Sequence, residues 1–498
     1  MSTSTLISPL FDDPMTVVAG LATLASVWFL FCPKQEPLTN TLPAGKDGNK
    51  APPPPFVPYY IPGLGSALEI ASMGLEPFIR HHAQRMGSAP IITALMAGKR
   101  MHFIADSAVF SAPFRYPEKQ LSMGPVIGDF VHSFFGTSRK GLETAIDKRD
   151  GLSPLQDHFL KAQGLSNMTA LVQTSIQTHV QDLTTKNKPD DSLLTMDLMK
   201  FVNQIMFRAV LDVAISPDLS HDEFLTTYDT FESAMMIAFL NLPMKLFAPT
   251  SFKARAKLVQ WMNDSKNSWR PYMQERRDFL SKQGDMSMDD LAKDNLLWTW
   301  GSVSNFVPSN FWFLYQVANT PAALEAIRAE VDVVLDKQES LSVSDLDNMK
   351  ALDSAFQEVL RLYNRFLISR QALQDMELDL KNGQKYFVKE GEQVVMFTPI
   401  LHHDPALYPN PSEYHWDRFL KQPTSGSARP EMRPFGGGPH YCPGRKFATN
   451  GAKAMVAHMV HKYDLVLHGT ATPDMSRDGL GILHSKTPVQ VTLKPRRR

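Results

Sequence analysis

The spacing of apolar residues along this 498-residue chain separates an N-terminal run, a proline-rich stretch and a long body. Residues 15–32 (MTVVAGLATLASVWFLFC) carry no charge and are close to the shortest length that crosses a bilayer as a helix. Residues 33–59 have little apolar periodicity and include four consecutive prolines, which are typical of a stiff, extended spacer. We therefore predict a transmembrane helix at 15–32 and a hinge at 33–59.

The charges around the apolar run predict how it is oriented. Asp12 and Asp13 precede it, whereas Lys34, Lys46 and Lys50 follow it. Positive residues favour the cytosolic side, so residues 1–14 are expected in the lumen and the body in the cytosol. A cleaved signal peptide is the alternative, but the run lacks a basic start and no small-residue cleavage site follows it.

The body, residues 60–498, reads as one large and mainly helical domain with small β-sheets. Long helical patterns fill 155–335, for example at 196–213 and 291–317. Residues 91–105 predict a hairpin around Ala97-Gly98-Lys99, and further strands are expected at 394–397 and 489–493. The apolar segment 239–249 (FLNLPMKLFAP) interrupts the helices, either as a loop that dips into a membrane or as a buried loop.

Composition narrows the class of protein. The chain is 43% hydrophobic and 20% charged, with formal net charge zero, so it has no basic field to bind nucleic acid. It has two cysteines, Cys32 in the apolar run and Cys442 in the body, which excludes a disulfide scaffold. A metal site with two or more thiolates is equally unexpected.

Cys442 lies in a loop of glycines and prolines, 433–445 (RPFGGGPHYCPGR), just before a predicted helix. Glycines let a backbone approach a flat object closely, and a helix N-terminus favours a thiolate. A lone cysteine here is incidental, a nucleophile or a metal ligand. One thiolate cannot build a zinc or iron–sulfur site, but it can be the axial ligand of a heme.

The pattern Phe435-x-x-Gly438-x-His440-x-Cys442-x-Gly444 resembles the heme-binding signature of the cytochrome P-450 family. The resemblance implies a P-450 fold, with Cys442 as axial ligand of the heme iron and Phe435, Gly438 and His440 as cofactor-binding residues. His440 departs from the pattern, because the family usually has an arginine two residues before the cysteine.

A second set of residues supports the same resemblance. Glu358 and Arg361 form the family's Glu-x-x-Arg, and the segment 410–419 is similar to the stretch that supplies the second arginine, here Arg418. The resemblance implies that these three form a structural triad, since one carboxylate can satisfy two guanidinium groups. Arg370 resembles the arginine that binds a heme propionate.

The expected oxygen-side helix lacks the acid and threonine pair common in the family. Ser304, Asn305 and Pro308 stand there instead, as in the branch with steroid 7α-hydroxylases, sterol 12α-hydroxylase and prostacyclin synthase, and in many fungal secondary-metabolism members. Pro308 removes a helix N–H and predicts a kink. Asn305 offers a donor and an acceptor, so Asn305 and Ser304 are the candidate catalytic residues.

The resemblance implies a membrane-bound heme-thiolate monooxygenase of the endoplasmic reticulum, which receives electrons from NADPH through cytochrome P-450 reductase. The expected substrate is a lipophilic terpenoid, steroid or polyketide, in secondary metabolism. The candidate pocket residues are Trp300, Phe366, Leu367, Ile368, Leu480 and Ile482. The alternatives are an isomerase or dehydratase of peroxide-type lipids that needs no external electrons, and a heme protein without catalysis.

Overall fold

The computed structural model describes residues 51–59, 65–96, 98–147, 149–186, 193–239, 241–283, 286–420 and 431–497. The predicted transmembrane helix at 15–32 lies outside these residues. Within them, none of the helices combines the length and the apolar character needed to cross a bilayer. Residues 51–59 are hydrogen-bonded to the body of the protein. The Val57 N–H donates to the Thr93 carbonyl at 2.8 Å, and the Thr93 N–H donates to the Pro55 carbonyl at 2.7 Å.

The α-helices dominate, as predicted. In chain order they are α1 Ala67–Met73, α2 Leu75–Arg85, α3 Gly124–Phe135, α4 Arg139–Asp147, α5 Arg149–Leu160, α6 Ala162–Lys186, α7 Leu198–Val202, α8 Arg208–Val210, α9 Asp222–Glu232, α10 Met235–Phe239, α11 Met244–Phe247, α12 Pro249–Asp264, α13 Pro271–Ser281, α14 Met288–Val303, α15 Phe306–Asn319, α16 Pro321–Leu335, α17 Val343–Asn348, α18 Lys350–Tyr363, α19 Thr398–His402 and α20 Arg445–Lys462.

The strands are short. They are β1 Ile91–Met96, β2 Lys99–Ile104, β3 Leu121–Ser122, β4 Leu194–Asp197, β5 Asn364–Ala372, β6 Met376–Asp379, β7 Lys385–Val388, β8 Gln393–Phe397, β9 Tyr463–His468, β10 Leu480–Ile482 and β11 Gln490–Pro495. The predicted hairpin is confirmed, because β1 and β2 pair antiparallel from Ile91 opposite Ile104 to Met96 opposite Lys99. The strands predicted at 394–397 and 489–493 are confirmed as β8 and β11.

Two predicted helices differ from the structure. The helix predicted at 196–213 begins at Leu198, because Met196 and Asp197 belong to β4 and pair with β11. It also contains two π-helical turns, Asn203–Phe207 and Leu211–Ile215. The helix predicted at 291–317 is two helices, α14 and α15, separated at Ser304 and Asn305.

The chain divides into two compact units. The smaller one comprises residues up to Met123, Phe366–Leu407 and Gly437–His440, and the larger one comprises the rest. In the smaller unit β8 joins β2 in parallel and β5 antiparallel. All five residues of β8 are buried, since Val394 and Met396 enter one apolar cluster and Val395 and Phe397 enter another.

Most helices of the larger unit contribute to one large apolar core, and Leu152, Leu280 and Leu291 form a separate small cluster. A three-stranded sheet in the order β4-β11-β9 belongs to it. Strand β10 lies beside the first residues of β5, where the Gly479 N–H donates to the Arg365 carbonyl at 3.0 Å. This unit carries Cys442, Ser304, Asn305 and the predicted triad.

Candidate functional site

Cys442 lies three residues before α20, as its sequence predicts. Its N–H donates to the Phe435 carbonyl at 3.0 Å, which closes the glycine-rich loop on itself. The Arg445 guanidinium donates to the Cys442 carbonyl at 3.1 Å and covers the Tyr441 ring. Cys442 is therefore held just before a helix start by the backbone of its own loop and by the Arg445 guanidinium.

The protonation of Cys442 reflects two opposing effects. Burial raises the pKa of the Cys442 thiol, whereas the Gly444 and Arg445 N–H groups and the Arg445 charge lower it, and burial prevails. The helix start thus favours the thiolate in the predicted direction, but it does not by itself secure the charged form. A cationic metal is the kind of partner that would stabilise that thiolate.

The second part of the site is the break between α14 and α15. Val303 ends α14, Asn305 has φ −101° and ψ −26°, and Phe306 begins α15. Pro308 occupies the first turn of α15, where its missing N–H costs no helical hydrogen bond. The helix is interrupted at Ser304-Asn305, just before Pro308, although both residues keep backbone angles in the α-helical region.

Asn305 binds the strand β10 through one end of its amide. Its Oδ1 accepts the Ile482 N–H at 2.8 Å. A Cβ on Gly481, which has φ +133°, would lie 2.1 Å from that oxygen. Since Nδ2 has no hydrogen-bond partner among the described residues, the donor end of Asn305 is the end available to a ligand.

Two polar atoms on the same helix segment are buried without partners. Ser304 Oγ and Trp300 Nε1 make no hydrogen bond within the part of the chain that the structure describes. Gly301 is exposed, and nothing lies within 4 Å of the position that a Cβ on it would take. Buried polar groups in proteins normally have partners, so this arrangement indicates a place for a bound group.

The two parts of the site lie at one end of a helix pair. The Phe306 ring, at the start of α15, lies 6.3 Å from the Phe447 ring, in the first turn of α20. A Cβ on Gly451 of α20 would also come within 3.0 Å of the Phe306 ring. The segments that precede these helices, with Asn305 and Cys442, therefore lie at the same end.

The donor set at that end fits a heme. A single thiol at a helix start supplies one axial ligand, and the porphyrin supplies the four ligands that the protein does not. The unpartnered polar atoms of Ser304 and Trp300 and the open position at Gly301 would suit the opposite side. Among the described residues there is no group of three or more His, Cys, Asp or Glu side chains that could hold a metal ion by themselves.

The triad predicted from Glu358, Arg361 and Arg418 is assembled in the larger unit. Arg361 donates to both carboxylate oxygens of Glu358 at 2.8 Å, from Nε and Nη2. Arg418 Nε donates to the same two oxygens at 2.9 and 3.0 Å. Glu358 and Arg361 are completely buried.

The rest of the triad's hydrogen bonds go to the segment 409–415. Arg361 donates to the Pro411 carbonyl at 2.7 Å and Arg418 to the Pro409 carbonyl at 2.8 Å. The His415 N–H adds a fifth bond to Glu358 at 3.1 Å. The three residues therefore tie this segment to α18.

Arg370 and His440 lie in the smaller unit. Arg370 is completely buried, donates to the Gly437 carbonyl at 3.0 Å and covers the Phe114 ring. A Cβ on Gly438 would lie 3.0 Å from the Arg370 guanidinium, which explains why glycine stands there. The predicted cofactor-binding residues Arg370 and Gly438 are therefore neighbours.

His440 contacts an acid that the sequence does not reveal. Its Nε2 lies 2.5 Å from a carboxylate oxygen of Glu118. Burial raises the pKa of Glu118, but hydrogen bonds from Ser122 and His440 outweigh burial and leave that pKa lowered. The two residues are 322 positions apart, so no local pattern could have predicted the pair.

The candidate pocket residues divide into two groups. Ile368 is 4% exposed in the apolar core of the smaller unit, and Ile482 is 4% exposed in the core of the larger unit, so both serve the cores. Phe366 is 37% exposed. Trp300, Leu367 and Leu480 are half-buried.

Around Trp300 the structure adds aromatic residues that sequence reasoning missed. The rings of Phe130, Phe134 and Phe135 from α3 lie 5.5, 6.2 and 5.8 Å from its ring. The signal for them is the apolar pattern of α3, which alone does not distinguish a pocket wall from an ordinary core.

Comparison with known proteins identifies the class of protein. The sequence model of the cytochrome P450 family matches residues 53–493, so the chain belongs to this family of heme-dependent monooxygenases. The chain is similar to a cholesterol 7-alpha-monooxygenase of Cricetulus griseus, at 28% identity over 489 residues that cover 89% of this chain and 94% of the relative.

Two further similarities agree with this class. A 7-alpha-hydroxycholest-4-en-3-one 12-alpha-hydroxylase of Oryctolagus cuniculus is 26% identical over 485 residues, covering 89% of this chain and 93% of the relative. The solved structure of a cyanobacterial CYP120A1 with retinoic acid has a TM-score of 0.68 at 19% identity, covering 90% of this chain and 100% of that one, and shows the fold alone. The predicted family and its sterol-hydroxylase branch are confirmed.

Proposed function

We propose that the protein is a membrane-bound heme-thiolate monooxygenase that oxidises a lipophilic small molecule of the steroid, terpenoid or polyketide type. The observation that carries this proposal is the half-buried Cys442, three residues before α20 and at the same end as the polar break at Ser304-Asn305. The similarity to sterol hydroxylases supports the substrate class. A place in secondary metabolism remains part of the proposal.

The residues proposed to hold the heme are those that the resemblance to the family implies. Cys442 is the proposed axial ligand, while Arg370 and His440 are the proposed partners of the propionates and Phe435 and Gly438 line the loop. When bound, the heme supplies the oxygen-activating chemistry, which an axial thiolate promotes by donating electron density. Two electrons per turnover come from NADPH through a reductase, and the two protons come from water.

Asn305 and Ser304 are the proposed catalytic residues on the opposite side. The Asn305 Nδ2 donates a hydrogen bond to an oxygen or a water, because its Oδ1 already accepts the Ile482 N–H. The Ser304 hydroxyl, buried and without a described partner, passes a proton from that water toward the reactant. The break in the helix frees the space in which they act.

The proposed membrane association rests on the N-terminal run and on the segment 239–249. In that segment Phe239, Leu246 and Phe247 are exposed, at 45%, 72% and 38%. Exposed apolar side chains of this size suit a lipid interface. We place the protein at the endoplasmic reticulum with the body in the cytosol, and propose that the basic residues near Cys442, Arg433, Arg445 and Lys446, contribute to docking the reductase.

The reduced carbon monoxide difference spectrum tests the ligand. The wild-type protein is expected to show the Soret band of a heme thiolate, and Cys442→Ala to lose it while retaining its helical content. Cys32→Ala, the matched change at the other cysteine, should retain the band. Absence of the band in the wild type, or its persistence in Cys442→Ala, contradicts the assignment of the ligand.

A turnover assay tests the reaction. With a purified reductase, oxidation of a sterol or terpenoid should require NADPH. Turnover of a lipid hydroperoxide without NADPH, with no NADPH-dependent product, would instead favour the isomerase. A metabolite comparison of cells with and without the chain then identifies the substrate.

A further inference from the structure

A polar cluster inside the larger unit is not used by the proposed catalytic machinery. It consists of Tyr228 and Glu232, one turn apart on α9, together with Arg477 and His484, which flank β10. Tyr228 is 2% and Glu232 8% exposed. The charge of Arg477 acts on the other three side chains, and its Nη2 lies 3.8 Å from Glu232 Oε1.

Each member has a buried polar atom without a hydrogen-bond partner among the described residues. These atoms are Tyr228 Oη, Glu232 Oε1, Arg477 Nε and His484 Nε2. The approach of Arg477 Nη2 to Glu232 Oε1 is 3.8 Å, which is too long for a hydrogen bond. Four such atoms in one place lower stability unless something bound there uses them.

The neighbouring residue shows that this segment can form a complete ion pair. Asp478 accepts two hydrogen bonds from Arg365, at 2.6 and 3.2 Å. Arg477, one position earlier, lies 3.8 Å from the carboxylate of Glu232. The long distance is therefore specific to Glu232 and Arg477 and is not shared by the whole segment.

The cluster borders the proposed site on two sides. Asn305 holds β10, which lies between Arg477 and His484, through the Ile482 N–H. Phe231, next to Glu232, stacks on Phe134 at 4.2 Å, and Phe134 contacts Trp300.

The charges of the cluster select a ligand. Burial raises the pKa of Glu232 to about 7 and lowers that of His484 to about 3, so His484 is neutral at physiological pH. A second carboxylate would be repelled by Glu232 in its ionised form. A hydroxyl can donate to Glu232 Oε1 and accept from Arg477, and an oxygen about 2.8 Å from each would bridge the gap.

We propose that Glu232 and Arg477 anchor an alcohol hydroxyl of the lipophilic substrate. This inference rests on the proposed function and adds to it the functional group that the substrate carries. Tyr228 Oη and His484 Nε2 add two further buried polar atoms without partners among the described residues. The anchor would fix how a large apolar skeleton lies relative to Asn305 and so determine which carbon is oxidised.

The test compares matched alcohols and hydrocarbons. The probes are cholesterol with cholest-5-ene, and dehydroabietinol with dehydroabietane, titrated against the heme-loaded protein by difference spectrum and by tryptophan fluorescence. In at least one pair the alcohol should bind about tenfold more tightly. Glu232→Leu should reduce its affinity to that of the hydrocarbon and leave hydrocarbon binding unchanged.

Control variants separate binding from folding. Glu223→Leu, on the same helix but exposed, should keep the preference for alcohol. Arg477→Met should lose it, which gives a second test if Glu232→Leu fails to fold. Equal affinities within both pairs in the wild type, or a preference that survives both cluster variants, overturns the inference.

The proposed function fails differently. If the carbon monoxide spectrum lacks the thiolate band, the heme-thiolate assignment is wrong, and fluorescence still reports whether alcohols are preferred. If the band is normal and no preference is found, the anchor alone is wrong.

Discussion

Two glutamates in the larger unit lie next to arginines, and they differ in how far their hydrogen bonds are completed. Glu358 accepts four bonds of 2.8–3.0 Å from Arg361 and Arg418 and a fifth from a backbone N–H. Glu232 Oε1 accepts none within the described residues, although Arg477 lies 3.8 Å away. Both glutamates are buried.

The difference indicates that Glu358 stabilises the fold and that Glu232 belongs to a ligand-binding site. A buried carboxylate repays its desolvation only if its lone pairs are used, as they are at Glu358. A carboxylate that remains incomplete lowers stability, and such costs accumulate at places that bind ligands. The comparison predicts that one chemical change, Glu to Gln, has opposite effects on stability at the two sites.

The largest effect is expected at the triad. Glu358→Gln removes the charge that two buried guanidinium groups share, and breaking a buried pair in this way costs about 3–5 kcal/mol. We expect a large loss in the free energy of unfolding, measured in urea, together with loss of heme. Glu413→Gln, at an exposed position in the adjacent segment, should change stability little. A wild-type unfolding curve for Glu358→Gln would contradict the role of the triad.

The pH dependence of stability gives the next effect, at Glu232. Burial raises the pKa of Glu232 from 4.5 to about 7, and Arg477 only partly opposes it. Below pH 4.5 the carboxyl is neutral in both the folded and the unfolded chain. Between pH 4.5 and 7 only the unfolded chain ionises, so the wild type loses stability as pH rises.

Glu232→Gln removes this titration. Relative to the wild type, the variant should gain nothing near pH 4.5 and on the order of 3 kcal/mol at pH 8, from the roughly 2.5-unit difference in pKa. The charges of Arg477 and Asp229 act on Glu232, and the pKa of about 7 already includes their effects. If the free energies of unfolding of the two proteins change with pH in parallel, or if the variant is less stable at pH 8, the Glu232 carboxylate has the hydrogen-bond partners that it needs.

The two sites also differ in how far the sequence predicts them. Glu358 and Arg361 are three residues apart on one helix, and Arg418 follows from a local motif, so the triad was predictable. The Glu232 cluster joins α9 to a segment about 245 residues later. Whether Arg477 and Glu232 form a hydrogen bond depends on a few tenths of an ångström in the distance between them. Spacing carries no information about such distances.

The same limit applies around Cys442 and Asn305. The glycine-rich loop and the following helix are local, and the sequence predicted both. The pair of His440 with Glu118 and the bond from Asn305 to Ile482 join residues 322 and 177 positions apart. The strand at Met196-Asp197 was missed for a related reason, because pairing with β11 overrode a helical pattern.

The smallest expected effect on the free energy of unfolding concerns the two ends of the Asn305 amide. Asn305 combines both situations, since Oδ1 is satisfied by Ile482 and Nδ2 has no partner among the described residues. Asn305→Ala should lower the free energy of unfolding by about 0.5–1.5 kcal/mol, the usual worth of one hydrogen bond. Gly481→Ala, which forces a Cβ against Oδ1, should lower stability through the same contact.

Asn305→Asp retains an oxygen for the Ile482 N–H but has no donor to replace Nδ2. We therefore expect its stability to stay within about 0.5 kcal/mol of the wild type. Its product yield per NADPH should fall and hydrogen peroxide release should rise, because the donor that orients oxygen and water is lost. If Asn305→Asp keeps wild-type stability and both variants remain fully coupled, Asn305 serves only to hold β10, and the catalytic donor must be sought at Ser304.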